Sequence, residues 1–269
     1  MGIRMFKSVL SKTIYEKRWM VLGWSIGVAA MSLLMMSFYH SFSDGVFDQI
    51  ANNLPKSFQS LIGDLKALKT VPGFVAQQVF ALRIPLLTII MSVILFSGLL
   101  AGDENEGSLQ TLLTRPIKRY QVYLQKLLAG LIVSFVVCFA AIPGVVIGLV
   151  LISESMSLWM LFQAVVAVWM LASTFGVIGF SLGAIFGKRG QAGSIAGIFA
   201  FLSFLITSFV GNVPSIESVE KLSLFHYYNK PAVAEFGLSL SNCLVFVLVA
   251  LFFAILGLII FVRRDIYQR

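Results

Sequence analysis

Six long apolar runs, separated by short polar segments, divide the 269-residue chain. Each run has about 19 residues or more, enough for an α-helix to cross the roughly 30 Å hydrocarbon core of a bilayer. We therefore predict an all-α, polytopic membrane protein with six transmembrane helices. The predicted spans are Met20–Phe42, Val79–Gly102, Leu127–Ile152, Leu158–Phe186, Gly193–Gly211 and Cys243–Val262.

Residues 1–19 have a different pattern, with apolar side chains on one helical face and polar side chains on the other. This pattern predicts an interfacial amphipathic helix ahead of a six-span transmembrane domain that covers residues 20–269. Segments 153–157 and 187–192 are so short that the third, fourth and fifth spans must form tight antiparallel hairpins.

Two predicted outer segments, 43–78 and 212–242, are too long for simple turns. The first has leucines at helical spacing, so we predict an amphipathic helix from near Pro55 that ends before Pro72 and Gly73. The second becomes aromatic ahead of the last span, which is typical of a belt at the membrane interface.

Composition and charge agree with a membrane protein and orient it. Hydrophobic residues make up 58% of the chain and charged residues 12%, whereas soluble domains have about 25% charged residues. Of the 20 Lys and Arg residues, fourteen lie on the side of the N-terminus and five on the other. Basic residues favour the cytoplasmic side, so we expect a multi-pass plasma-membrane protein with both termini in the cytoplasm. They form no aromatic-interleaved groove for nucleic acid.

The most charged gap between spans is the segment Ala101–Lys126. Asp103 and Glu106 have the spacing of a capping box, and Pro116 would end the short helix that they begin. Leucines between these signals form an apolar stripe on a helix of about three turns, too short to cross a bilayer. The bland alternative is a capped interfacial helix that only holds two spans in register.

The order of residues in this gap resembles the cytoplasmic loop of permease subunits of ABC-2 type exporters. The matching positions, with the capping aspartate, are Asp103, Glu104, Glu106, Gly107, Ser108, Leu109, Leu112, Leu113, Pro116, Arg119 and Lys126. In that family the segment is a coupling helix that docks on a separate cytosolic ABC ATPase. The resemblance therefore implies two permease chains and two ATPase chains, with ATP and magnesium bound by the ATPase and no cofactor bound by this chain.

The outer segment that begins at Leu54 also resembles a drug-efflux branch of these exporters, in which some permeases hold two such halves. The resemblance implies a hydrophobic or amphiphilic substrate. A nucleotide-independent secondary transporter or channel is the alternative, and a membrane-embedded enzyme is a further rival. The chain has no Walker phosphate loop, its nearest approach being the stretch 183–189. His40 and His226 have no metal-ligand spacing, so we predict neither a catalytic nor a metal site.

Two residues within the spans are candidates for the translocation path. Arg83 is an ionisable group inside the second predicted span, although its stem is long enough to snorkel to the interface. Pro143, in the third span, should kink its helix, for gating or only for packing. A row of small residues predicts close helix packing, within one subunit or between two. Its members are Gly176, Gly179, Gly183, Gly187, Gly193 and Gly197.

Overall fold

The computed structural model describes residues 8–43, 69–108, 117–209, 220–229, 233 and 237–264. Throughout these residues the regular structure is helical. The helices are α1 Val9–Glu16, α2 Arg18–Ser37, α3 Tyr39–Ser43, α4 Val71–Phe74, a π-helix Val75–Phe80, α5 Arg83–Leu99, α6 Ala101–Asn105, α7 Arg119–Phe139, α8 Ala141–Leu151, α9 Leu158–Phe186, α10 Arg189–Phe209, α11 Leu224–Asn229 and α12 Leu240–Arg263.

Six helical stretches within the described residues are long and apolar enough to cross a membrane, which confirms the predicted fold class. In chain order they are Arg18–Ser41, Val71–Leu99, Arg119–Leu151, Leu158–Phe186, Arg189–Ser208 and Leu240–Arg263. The fourth span has the predicted bounds. The second and third begin eight residues earlier than predicted, because polar residues interrupt their apolar runs but do not end their helices.

The second and fourth spans form the centre of the bundle. The fourth span packs against the second, fifth and sixth spans, and 78% of its most apolar window is buried, against 17% for the sixth. Phe96 and Phe180 meet edge to face between these central helices, and the Tyr123 ring lies 4.8 Å from the Phe180 ring. The first, fifth and sixth spans therefore present most of their apolar side chains outward.

The third span is interrupted at Ala140, where α7 ends and α8 begins, three residues before Pro143. After this break α8 packs along the first span. Gly144 and Gly148 form the contact, because a β-carbon at either position would overlap Ala29 or Met36 of that span. The two glycines that follow Pro143 thus let two helices come into close contact, while the Pro143 ring itself is exposed.

Pro72 and Gly73 lie in α4, whose N-cap is Thr70, because proline fits the first turn of a helix. One prediction about the outer segments needs correction. The aromatic stretch around α11 is not an exposed belt. Phe225 and Tyr228 are 2% and 5% exposed, and the Tyr228 hydroxyl donates to the Phe80 carbonyl. The predicted helix from Pro55 lies outside the described residues.

Candidate functional site

Four charged side chains form two ion pairs where the second and sixth spans end and the third begins. The pairs are Asp103 with Lys126 and Glu104 with Arg264. We call these four residues the ion-pair cluster, and this end of the bundle the charged end. The N-terminal helix α1 packs against α7 at the same end, where the Leu10 amide donates to Gln125 Oε1 over 3.3 Å.

Lys126 is the most buried member of the cluster. Its side chain is 3% exposed, and its ammonium donates to the Asp103 carboxylate and to the carbonyl of Leu99. Leu99 is the last residue of α5, where the helix dipole also favours a positive charge. An ammonium buried to this degree is stable only with such partners. Lys126 therefore fixes the start of the third span to the end of the second.

The second ion pair joins elements that are far apart in the sequence. Glu104 and Arg264 are 18% and 19% exposed, and the Arg264 guanidinium also donates to the Ile185 carbonyl over 3.0 Å. Arg119 Nη1 in turn donates to the Arg264 carbonyl over 2.7 Å. The short helix α6 is thereby connected to the ends of the fourth and sixth spans, as well as to the second and third.

Gly187 completes the charged end through its backbone. It ends α9 with a φ of +66°, in the left-handed region that glycine adopts readily. A β-carbon there would lie 2.8 Å from Glu104 Oε1 and 2.9 Å from the Arg264 guanidinium. The Asn105 amide, with its nitrogen facing the carbonyl, donates to Gly187 O over 2.9 Å. The absence of a side chain thus lets the Glu104–Arg264 pair approach the end of the fourth span.

The predicted capping box is wrong. Asp103 is not an N-cap but the third residue of α6, because the helical backbone of the second span continues almost without a break through Ala101. Its carboxylate pairs with Lys126, and Glu106 caps the C-terminus of α6 instead of bonding back to an N-cap. Gly107, with a φ of +73°, then turns the chain.

The other predicted coupling residues have separate positions. Glu106 is exposed just beyond α6, and the Ser108 hydroxyl donates to the Asp103 carbonyl over 3.3 Å. Arg119 begins α7 and contacts the end of the sixth span. Leu109, Leu112, Leu113 and Pro116 lie outside the described residues. The structure therefore joins the two flanks of the predicted coupling segment to the spans.

Arg83 lies at the start of α5, near the opposite end of the bundle from the cluster. Its Nη1 donates to both the main-chain and the side-chain oxygen of Gln78, over 2.5 and 2.6 Å. Lys126 is also an ionisable group inside a span, since the third span begins at Arg119 and not at the predicted Leu127.

The row of glycines packs mainly within the chain. A β-carbon on Gly176 would lie 2.6 Å from Phe96, and one on Gly179 would lie 3.4 Å from Ala196. One on Gly183 would meet Ala101 and the Ser97 carbonyl at 3.4 Å, and one on Gly193 would meet Ser97 Oγ at 3.3 Å. Gly197 has nothing within 4 Å of that position. These contacts join the fourth and fifth spans within one chain, one of the two arrangements that the pattern left open, and also bring both onto the second.

Three residues important to these sites were not singled out by sequence. Arg264 is one of several basic residues at span ends, Gln78 interrupts an apolar run five residues before Arg83, and Glu220 lies 3.1 Å from His226 Nδ1. The last pair shows that His226 does have a carboxylate neighbour. A polar residue inside an apolar run was the available signal for Gln78, whereas the partner of Arg264 could not be read from spacing.

The described residues form a helical bundle with six helices long enough to span a membrane, which defines a polytopic membrane protein. A family model described as "Multidrug efflux system permease Rv1217c, C-terminal domain" matches residues 8–262. Since this match covers nearly the whole chain, the protein belongs to that family of efflux permeases. Its role is accordingly that of a permease subunit in transport. No curated protein matches the chain.

Proposed function

We propose that this chain is the permease subunit of an ATP-driven exporter of the ABC-2 type. A separate cytosolic ABC ATPase would bind ATP and magnesium and dock at the charged end. That end would face the cytoplasm, with both termini, and the protein would lie in the plasma membrane. Family membership and the motif from Asp103 to Lys126 support this proposal.

The observation that carries the proposal is the ion-pair cluster. Lys126 connects α6 to the second and third spans, and Arg264 connects α6 to the fourth and sixth. A displacement of the segment after α6 would therefore act on four spans through charged contacts. An uncompensated charge is costly at a buried site, so these contacts would move as a unit instead of separating.

The exported compound would be hydrophobic or amphiphilic, in keeping with the family's description as a multidrug efflux permease. The working assembly would hold two copies of this chain around a central path, with two ATPase subunits. The matched unit is described as one domain of a permease, so in that permease it is part of a longer chain. A two-fold contact would use the same face of each copy, and the outward apolar faces of the first, fifth and sixth spans offer surface for it.

The test is ATP hydrolysis and vesicle transport by the purified chain, alone and with a co-expressed candidate ATPase subunit. We expect no hydrolysis by the chain alone, because its sequence has no Walker loop. With the ATPase, hydrolysis should rise with an exported dye and transport should require ATP. Transport by the chain alone, driven by an ion gradient, would instead establish the secondary-transporter alternative.

A further inference from the structure

The first span begins with an arginine that lies against two aromatic rings. Arg18 opens α2 directly after the turn from α1, and its guanidinium carbon lies 3.9 Å from the centre of the Tyr15 ring and 5.7 Å from that of Trp19. Arg18 Nη1 also donates to the Tyr15 carbonyl over 2.8 Å. An aromatic face attracts a cation, so these contacts fix the guanidinium at the start of the span. We call Tyr15, Arg18 and Trp19 the aromatic–arginine patch.

The aromatic–arginine patch is exposed and has hydrogen-bond donors available. Trp19 is 71% exposed and Tyr15 38%, and Arg18 is exposed as well. Arginine has five N–H donors, and among the described residues the Tyr15 carbonyl is the acceptor of Arg18, through one nitrogen. The other nitrogens can donate to an external acceptor. A phosphate can bind a guanidinium fork through two parallel hydrogen bonds.

The carboxylate nearest to Arg18 in the sequence has another partner. Glu16 Oε1 lies 3.6 Å from Lys12 Nζ within α1. Lys17, between Glu16 and Arg18 in the sequence, adds a further positive charge. The start of the first span is therefore net positive. Basic residues at a membrane boundary attract anionic lipids.

An apolar face extends from the patch toward the middle of the span. Trp19, Leu22 and Ile26 share one helical face, and the latter two are 51% and 67% exposed. Gly23, one turn after Trp19, has nothing within 4 Å of the position of a β-carbon. Arg18 is the first residue of the span, so its charge lies at the membrane boundary and the apolar face extends from it into the hydrocarbon. A phospholipid has its charge and its acyl chains in this same order.

The charge of Arg18 favours a lipid over a second copy of the chain on this face. In a two-fold contact the same surface of each copy meets, at the same depth in the membrane. Two copies packed along this face would therefore bring their Arg18 guanidiniums together, and like charges that meet across an interface weaken binding. An anionic phospholipid instead supplies the opposite charge. The fifth and sixth spans remain for a contact between copies.

We propose that the aromatic–arginine patch binds an anionic phospholipid of the surrounding membrane. Arg18 would be the ligand of its head group, and an acyl chain would extend past Trp19 along Leu22 and Ile26. The proposal does not rest on the proposed export function, because any bilayer around the six spans supplies the ligand.

Binding is tested on the purified chain in neutral detergent micelles, titrated with brominated phosphatidylglycerol or with phosphatidylcholine that carries the same brominated acyl chains. Bromine quenches the fluorescence of a tryptophan that it contacts. Because the chain has four tryptophans, the part of the quenching that is lost in Trp19→Phe reports contact at Trp19. We expect phosphatidylglycerol to reach half-saturation at an about fivefold lower concentration than phosphatidylcholine.

Arg18→Gln should reduce this preference to less than twofold. The matched control is Lys118→Gln, which removes another exposed charge at the charged end, where the Lys118 ammonium lies 5.9 Å from the centre of the Tyr120 ring. It should retain the preference. Equal half-saturation by the two lipids in the wild-type chain, or an unchanged preference in Arg18→Gln, would overturn the proposal.

The path of the acyl chain is tested by the position of the bromine and by filling the space beside Trp19. Bromine near the head-group end of the chain should quench Trp19 more than bromine near the methyl end, and the reverse order would overturn the proposed orientation. Gly23→Leu, which keeps good helix propensity, should raise the half-saturating concentration threefold or more, and an unchanged value would overturn the proposed path. A second copy on this face would instead shield Trp19 from both lipids as the chain dimerises, which would refute the lipid as occupant.

Discussion

We predict that replacing Asp103 and replacing Lys126, the two partners of one ion pair, lower the stability of the protein by different amounts. Asp103→Leu would leave an ammonium that is 3% exposed with the Leu99 carbonyl as its acceptor. Lys126→Met would leave a carboxylate that is 27% exposed and can gain water. Removing one partner of a buried pair costs about 3–5 kcal/mol, so we expect Asp103→Leu to approach this range and Lys126→Met to cost clearly less.

For a chain of this size, 1 kcal/mol shifts the midpoint of thermal unfolding by about 2–4 °C. We therefore expect Asp103→Leu to lower Tm by about 6–20 °C, measured by tryptophan fluorescence in detergent micelles. The double variant with Lys126→Met should recover part of this loss, because apolar side chains can replace a buried pair at little cost.

The control is Lys12→Met, which breaks the exposed pair of Lys12 with Glu16 within α1. A helical pair of this kind contributes about 0.3–0.5 kcal/mol, so Tm should fall by no more than about 2 °C. Equal Tm values for Asp103→Leu and Lys126→Met would refute the reasoning. So would a double variant less stable than Asp103→Leu, since the buried ammonium would then not be the source of the loss.

Three further substitutions test three separate roles: coupling to the ATPase, backbone conformation, and a hydrogen bond in the packed interior. Glu106→Gln should reduce substrate-stimulated ATPase activity of the assembled complex with little change in Tm, because Glu106 is exposed beyond α6 and free to meet a basic residue of an ATPase. Gly187→Ala should lower stability by about 1–2 kcal/mol, measured by thermal unfolding, because an L-residue is strained at a φ of +66°. Tyr228→Phe should cost about 1–3 kcal/mol in the same assay, because it leaves a buried carbonyl without its donor.

Each of these changes has an outcome that contradicts it. Wild-type ATPase stimulation in Glu106→Gln would show that the charge of Glu106 has no role in coupling. The matched control is Glu16→Gln, which removes another exposed carboxylate at the same end. Gly197→Ala should be neutral or slightly stabilising, as it fills open space in a helix. Equal Tm values for the two glycine variants would refute the role of Gly187. An unchanged Tm in Tyr228→Phe would show that its hydrogen bond contributes nothing.

The family membership agrees with part of the motif-based prediction. The motif indicated a permease subunit, and the matched family is one of efflux permeases. The ATP-driven ABC-2 mechanism and the second copy stay predictions. Glu104 pairs with Arg264 and is therefore unsuitable as a silent control for Glu106.

The sequence by itself determined the number of spans, their order and most of their bounds. A helix in a bilayer must satisfy its backbone hydrogen bonds internally and bury about 20 apolar residues. Both requirements are local, so hydropathy alone located Leu158–Phe186 to the residue. The close packing of Gly176 to Gly183 was also predictable. Small residues at helical spacing have no side chain that keeps a neighbouring helix backbone at a distance.

Only the tertiary structure decided which charges meet and where two spans begin. Glu104 and Arg264 are 160 residues apart. From the sequence, several basic residues at the charged end could equally have paired with each carboxylate. Gln78 and Lys126 are polar enough to interrupt the apolar runs, so hydropathy began both spans too late. Arg83 and Asp103 supply partners for these groups. Arg83 is only five residues from Gln78, whereas Asp103 reaches Lys126 from another helix, and a partner on another helix leaves no trace in local sequence.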